Sequence, residues 1–180
     1  MASIVFFFVI KLSACCKICV PEFIFTAGLI LVAFGGFWDD LRGLSVYIRM
    51  AIQGLAVFFV LHAQGYMYAD AWWYGLVLLI LGVYLLNAFN FMDGINGILG
   101  LYFLVFLLFS GSGRDMSDAQ VWLVASICAF LFFNFRKRAL TFSGDVGSMT
   151  VAFLVLGFMT GAIGNTGIEF PKTVDGFSLN

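Results

Sequence analysis

Three polar stretches with the residue types for phosphate chemistry interrupt an otherwise apolar chain of 180 residues. They read FGGFWDDLRGLS (34–45), NAFNFMDGINGI (87–98) and TFSGDVGSM (141–149). Each places carboxylates or side-chain amides beside glycines. Oxygen ligands of this kind suit Mg²⁺, which is usually held by one or two carboxylates together with substrate phosphates. The three stretches therefore predict a site for Mg²⁺, or for Mn²⁺ in its place, and a diphosphate.

Basic residues and glycines near these stretches fit the same chemistry. Arg42 and Arg49 could donate hydrogen bonds to phosphate oxygens. The glycines would let a ligand approach the backbone closely, and helix N-termini at these places would favour an anion. The adjacent carboxylates of Asp39 and Asp40 repel each other, which can raise the pKa of one of them towards the range of a general base.

Each stretch also has a purely structural interpretation. The paired aspartates could mark a helix end in water. Asn87, Asn90 and Asn96 could form hydrogen bonds between membrane helices. Asp145 could cap the helix that follows it. The basic triplet at 136–138 could serve only to orient the chain in a membrane.

The elements that carry these stretches are predicted to be membrane helices. The chain is 63% hydrophobic and 11% charged, which is the composition of a polytopic membrane protein, and its net charge of −1 gives no basic field for nucleic acid. Lipid leaves no water for backbone groups, so continuous apolar runs must be helical. The predicted fold is an all-α polytopic bundle of about six to seven transmembrane helices. Its apolar segments are 4–19, 23–38, 48–62, 72–89, 98–110, 119–135 and 146–163.

The distribution of basic residues predicts the orientation of the bundle. If every segment crosses the membrane, the connections 39–47, 90–97 and 136–145 lie on one side. Arg42 and the basic triplet are on that side, so the positive-inside rule predicts that it is cytoplasmic. The carboxylates of all three polar stretches would then meet at the cytoplasmic face.

The motifs GFWDDLRGLSVYIR, NAFNFMDGINGILG and FNFRKRALTFSGDVGSM, in this order, closely resemble those of the polyprenyl-phosphate N-acetylhexosamine-1-phosphate transferases of glycosyltransferase family 4. The resemblance runs from about residue 23 to 163. It implies a multi-pass enzyme of the bacterial inner membrane with a cytoplasmic active face. Such an enzyme transfers a sugar 1-phosphate from a UDP-sugar to undecaprenyl phosphate, releases UMP, requires Mg²⁺ and begins cell-wall or O-antigen synthesis. A homodimer is one assembly it could form.

The resemblance also implies roles for particular residues. Asp39 and Asp40 match the catalytic pair near the lipid phosphate. Asp145 matches the metal-binding carboxylate, and Asn90 matches an amide beside the metal. Asn96 stands where many bacterial members have a second aspartate. The expected substrate-binding residues are Asn87, Asp93, Gly94, Asn96, Arg42 and Arg49.

The predicted domain is a single membrane-embedded transferase-like unit at 1–164, followed by a polar tail at 165–180. Family members carry a PRGGG-like loop before this region and a histidine-containing loop after it, so we expect the chain to be a central piece of a longer enzyme. One alternative is a catalytically inactive, truncated membrane protein. A transporter is a further alternative, but its acidic residues should lie at mid-helix.

Overall fold

The computed structural model describes residues 22–64, 66–67, 72–110, 118–135 and 141–160, and every element within these ranges is an α-helix. The predicted segment 4–19, the basic triplet and the polar tail lie outside the described residues. The six helices are α1 (Glu22–Arg42), α2 (Val46–Ala63), α3 (Trp72–Met92), α4 (Ile98–Ser110), α5 (Asp118–Asn134) and α6 (Gly144–Met159).

The predicted helical membrane bundle is confirmed. The described helices follow the predicted apolar segments from 23–38 onward, with ends that differ by a few residues. Three helices are long and apolar enough to cross a membrane, namely Ile24–Arg42, Val46–Ala63 and Trp72–Met92. The other three are apolar but shorter, with α4 spanning only 13 residues. A perpendicular crossing needs about 20 residues.

Helix α6 forms the centre of the bundle. It packs against α1, α3 and α4, while α2 lies between α1 and α3, and α5 packs on α4. Phe153 in α6 and Leu86 in α3 are fully buried, whereas Ile80 and Phe109 on the outer helices are exposed. Apolar side chains on the outside and inside alike are expected where the solvent is lipid.

Helix α1 continues past its predicted apolar segment and includes the paired aspartates in its last turn. The backbone hydrogen bonds of a helix do not depend on apolar side chains. The helix therefore continues beyond the end of the apolar run. The helix ends at Arg42, and Gly43 follows it with a left-handed φ of 65° and an N–H that donates to the carbonyl of Asp39 at 2.8 Å. A left-handed glycine is a common helix stop.

Two glycines allow α1 and the start of α6 to approach each other closely. A Cβ atom on Gly36 would lie 2.8 Å from the nitrogen of Val146 and 2.9 Å from the carbonyl oxygen of Asp145. Gly144 has a φ of 64°, and a Cβ atom there would lie 2.7 Å from a carboxylate oxygen of Asp40. Larger residues would separate the first and third polar stretches.

Candidate functional site

The carboxylates of the first and third polar stretches meet at one end of the bundle. Asp40 Oδ1 accepts a hydrogen bond from the backbone N–H of Asp145 at 3.1 Å. The Asp145 carboxyl also interacts directly with the carboxyl of Asp39. We call Asp39, Asp40 and Asp145 the acidic site. The structure thus brings together the two predicted catalytic residues and the predicted metal ligand.

Arg49 supplies the cation that the structure describes at the acidic site. Its Nη1 lies 3.2 Å from Asp39 Oδ2, and the other oxygen of that carboxylate accepts from the N–H of Leu44 at 2.5 Å. The Asp39 side chain is only 7% exposed, so these contacts offset the cost of burying its charge. The Nε of Arg49 is buried and has no hydrogen-bond partner among the described residues.

Negative charge accumulates around Asp145, which precedes the apolar run that begins at Val146. Burial first, and then the neighbouring carboxyls of Asp39 and Asp40, raise the pKa of the Asp145 carboxyl from 3.8 to about 6. A hydrogen bond from Asn90 opposes this shift. In the part of the chain that the structure describes, one guanidinium pairs with these three carboxyls, and this excess of negative charge favours a further cation.

The second polar stretch is tied to the first turn of α6 through Asp93. Its carboxylate accepts from the Ser143 hydroxyl and from the N–H of Gly144, the latter at 3.1 Å. Burial raises the pKa of the Asp93 carboxyl, while these two hydrogen bonds lower it and the charge of Asp40 raises it. Asp93 therefore braces the segment that leads to Asp145, and its expected role with the nucleotide stays a prediction.

Two asparagines of α3 bond to other helices, as the structural interpretation of these residues proposed. Asn90 Oδ1 accepts from the Ser148 hydroxyl of α6 at 2.9 Å. Asn87 Nδ2 donates to Gln53 Oε1 of α2 at 2.7 Å and to the carbonyl of Val83 at 2.8 Å. Both residues thus fix helix positions, and their expected roles toward metal and substrate stay predictions.

The remaining predicted residues lie on the helix ends and turn beside these contacts. Gly94 is exposed, and the only described atom within 4 Å of a Cβ atom there would be the carbonyl oxygen of Phe91, at 3.7 Å. Asn96 is half-buried in the same turn. Arg42 is exposed, with its guanidinium 5.3 Å from the ring centre of Trp38, a cation–π distance. Gly94 has room for a ligand, and the roles of all three stay predictions.

Asn134 is a site-forming residue that the sequence did not single out. Its Oδ1 accepts from the N–H of Gly97 at 2.6 Å, and its Nδ2 donates to the carbonyl of Thr141 at 2.6 Å. The residue is 4% exposed, and it joins the turn after α3 to the segment before α6. The available signal was a lone amide at the end of an apolar run, because a buried amide needs partners.

The oxygen ligands of the acidic site suit a hard divalent cation whose coordination is completed by substrate phosphates. Among the described residues, no three His, Cys, Asp or Glu side chains form a group that could hold a metal. Mg²⁺ does not need such a cage, because it commonly binds one or two carboxylates plus substrate phosphates and waters. Burial and the neighbouring carboxyls together raise the pKa of Asp145, and such a cation would relieve the repulsion between those carboxyls.

The comparisons with known proteins agree with the site. Residues 23–163 match the family model described as glycosyl transferase family 4, and this range includes all three polar stretches. No curated protein and no solved structure matches the chain.

Proposed function

We propose that this chain, which belongs to glycosyl transferase family 4, transfers an N-acetylhexosamine 1-phosphate from a UDP-sugar to undecaprenyl phosphate. An oxygen of the lipid phosphate would attack the β-phosphorus of the UDP-sugar. The bond from that phosphorus to the bridging oxygen would break, and UMP would leave with that oxygen. The product would be a lipid diphosphate sugar, the starting unit of a cell-wall or surface polysaccharide such as O-antigen.

The contact between Asp40 and Asp145 carries this proposal. It joins two motifs from distant parts of the sequence into one group of carboxyls with Arg49 beside it. Phosphoryl transfer from one phosphate to another brings together negative charges, so its catalysis depends on positioning and on positive charge. Among the described residues this carboxylate cluster has more negative than positive charge, which fits that need because the cluster can hold the cation that the phosphates share.

Separate residues of the site would bind, position and deprotonate. Asp40 is exposed and engages a backbone N–H, whereas Asp39 is held by Arg49. Asp40 is therefore the better placed of the two to contact the lipid phosphate and take its proton. Arg49 and Arg42 would donate to phosphate oxygens.

Asp145 and Asn90 are the residues proposed to hold Mg²⁺. When bound, the ion would offset charge on the phosphate oxygens. Asn90 already donates to the Asp145 carboxyl, so the two side chains face the same place. The turn that contains Asp93, Gly94 and Asn96 would bind the nucleotide, with the open space at Gly94 admitting it.

The membrane provides the setting that this reaction needs. Three of the helices have the length and composition to cross a bilayer, and the acidic site lies at helix ends. A lipid phosphate is available at the headgroup level of a membrane. We propose the inner membrane of a bacterium, with the site facing the cytoplasm, since Arg42 and Arg49 lie at the same end of the bundle as the carboxyls.

The direct test measures UMP release by the purified full chain supplied with UDP-N-acetylglucosamine, undecaprenyl phosphate and Mg²⁺. We expect release that needs both substrates and is lost in Asp145→Asn. Asp115→Asn, in a connection predicted on the opposite side of the membrane, is the matched control and should keep its activity. Folded protein that releases no UMP from any UDP-N-acetylhexosamine would refute the proposal.

A further inference from the structure

We propose that the hydrogen-bonded pair of buried Gln53 and half-buried Asn87 is a positioning device that fixes α2 against α3 beneath the acidic site. Within the part of the chain that the structure describes, neither residue is hydrogen-bonded to a carboxyl of the acidic site, and Gln53 is absent from the residues expected to do chemistry. The catalytic consequence of this inference rests on the proposed function, whereas its structural part does not.

The geometry of the pair leaves its amides little freedom. Gln53 is 1% exposed, and its Oε1 accepts from Asn87 Nδ2 at 2.7 Å. The second hydrogen of that nitrogen is directed to the carbonyl of Val83, 2.8 Å away in the same helix. The bond to Val83 therefore fixes the orientation of the Asn87 amide within its own helix. Gln53 must then lie where its Oε1 can accept the other N–H of that amide. Gln53 Nε2 faces the sulfur of Met149 in α6 at 3.6 Å.

Helical spacing connects this pair to the residues of the site. Gln53 lies four positions after Arg49, and Asn87 lies three positions before Asn90, so the members of each pair are neighbours about one helical turn apart. Helix α2 contacts α1 through Arg49 and α3 through Gln53. Helix α3 presents Asn87 to α2 and Asn90 to α6.

Four polar links close a circuit through α1, α2, α3 and α6. The links are Arg49 to Asp39 at 3.2 Å, Asn87 to Gln53 at 2.7 Å, Ser148 to Asn90 at 2.9 Å and Asp145 to Asp40 at 3.1 Å. Two of these links contain a residue of the acidic site, and a third contains Asn90, which is hydrogen-bonded to Asp145. The amide pair of Gln53 and Asn87 is the fourth, and it completes the circuit one helical turn away.

The circuit sets the separation between the cation of the site and its proposed metal side. Arg49 is on α2 and Asn90 is on α3, and the described polar link between these two helices is the amide pair. A buried amide without a partner is costly in an apolar bundle, so the helices are held at the offset that satisfies both amides. If the link breaks, α2 can shift along α3 and move Arg49 relative to Asn90.

Such a shift should lower the catalytic rate strongly and change the affinity for the UDP-sugar only slightly. Displacing a catalytic group by about 1 Å can cost on the order of a hundredfold in rate. The turn proposed to bind the nucleotide is held separately, by Asp93 and Asn134. We therefore expect kcat to fall while KM for the UDP-sugar changes little.

The test exchanges the two amides. Gln53→Asn leaves the pair one methylene too short, Asn87→Gln leaves it one too long, and the double variant restores the original number of bonds between the two backbones. The control is Gln64→Asn, an amide of the same type immediately after α2 at its other end. The full chain is purified in detergent, and kcat, KM and Tm are measured for each variant.

We expect each single exchange to lower kcat at least about tenfold, with KM for UDP-N-acetylglucosamine within about twofold of the original. The double exchange should recover most of kcat, and Gln64→Asn should match the unmodified chain. Singles with normal kcat would overturn the proposal. So would a double variant no better than Asn87→Gln alone, which would mean that Asn87 acts on the substrate itself.

Thermal unfolding keeps the test independent of the reaction. If the two residues are coupled, the Tm of the double variant should exceed the value expected from adding the two single shifts. Tm shifts that add in the double variant would overturn the proposal. The proposal would also be overturned if both single variants failed to fold and the double variant failed to fold as well. If the unmodified chain releases no UMP, the proposed function fails, and this coupling alone decides whether the pair fixes the helices.

Discussion

The carboxylate of Asp40 accepts a hydrogen bond from the backbone N–H of Asp145 at 3.1 Å, across 105 positions of sequence. This contact joins the last turn of α1 to the first turn of α6. It exists because Gly36 and Gly144 let the two helices meet without intervening side chains. The geometry of the acidic site therefore depends on the close packing of α1 against α6.

Substitution of Gly36 tests that packing. Gly36→Ala would place a Cβ atom within 2.9 Å of the α6 backbone, so we expect a loss of about 1–3 kcal/mol in the free energy of unfolding and a loss of activity. Gly54→Ala is the matched control, because a Cβ atom there would have one neighbour among the described residues, at 4.0 Å. The control should be neutral or up to about 1 kcal/mol more stable. Equal Tm values for the two variants would contradict the close approach.

Asn134 should hold the two loops of the site together. Asn134→Leu leaves the N–H of Gly97 and the carbonyl of Thr141 without their partner, at an expected cost of about 1–3 kcal/mol for each unsatisfied group. Hydrogen exchange followed by mass spectrometry should show faster amide exchange in 93–97 and 141–145. Amides of α2 serve as the internal reference. Unchanged exchange in both loops would rule out the bridge.

Removing Arg49 alone should destabilise the protein more than removing the charges of Arg49 and Asp39 together. Arg49→Met leaves a carboxylate that is 7% exposed without its cation. Removing one partner of a fully buried pair costs about 3–5 kcal/mol, and the cost should be smaller here because Arg49 is 22% exposed. Adding Asp39→Asn to Arg49→Met should recover part of the lost Tm. No recovery would show that Arg49 stabilises the fold in another way.

The raised pKa of Asp145 predicts how the stability of the metal-free protein depends on pH. The folded protein keeps this proton up to about pH 6, whereas the carboxyl of the unfolded chain loses it near its usual 3.8. The group therefore favours the fold at low pH, and this contribution is lost as the pH rises through about 6. The Tm of the unmodified chain minus that of Asp145→Asn should fall between about pH 4 and pH 7.

Saturating Mg²⁺ should remove that fall in Tm difference, because a cation bound to the carboxylate favours its ionised form. Differential scanning fluorimetry at matched ionic strength measures both conditions. A Tm difference that stays constant with pH in the metal-free protein would contradict the crowding of carboxyls around Asp145.

The sequence was sufficient to predict the helices and to choose the polar stretches that meet. Long apolar runs in a membrane protein leave few alternatives to helices, and the segments 98–110 and 72–89 agree closely with α4 and α3. The end of α1 was less predictable, since a helix stops where its hydrogen bonds stop and not where its apolar residues stop. Gly43, with its left-handed φ, marks that stop.

The partners of single amides could not be predicted. Gln53 and Asn134 are isolated polar residues in apolar surroundings, and the sequence does not say which neighbouring helix completes their hydrogen bonds. The bonds of Asp93 to Ser143 and Gly144 were equally beyond the sequence, and its expected role with the nucleotide stays a prediction. Such contacts depend on how helices pack in three dimensions, which the pattern of apolar residues constrains only loosely.

The most direct test of the central claim follows the β-phosphate. UDP-N-acetylglucosamine labelled with phosphorus-32 at the β-phosphate is incubated with the purified chain, undecaprenyl phosphate and Mg²⁺, and the lipid is extracted into butanol. Transfer of a sugar 1-phosphate predicts label in the lipid, unlabelled UMP in water, and no labelled lipid with Asp145→Asn. Labelled UDP in water with unlabelled lipid, or no labelled lipid from folded protein with any UDP-N-acetylhexosamine, would contradict it.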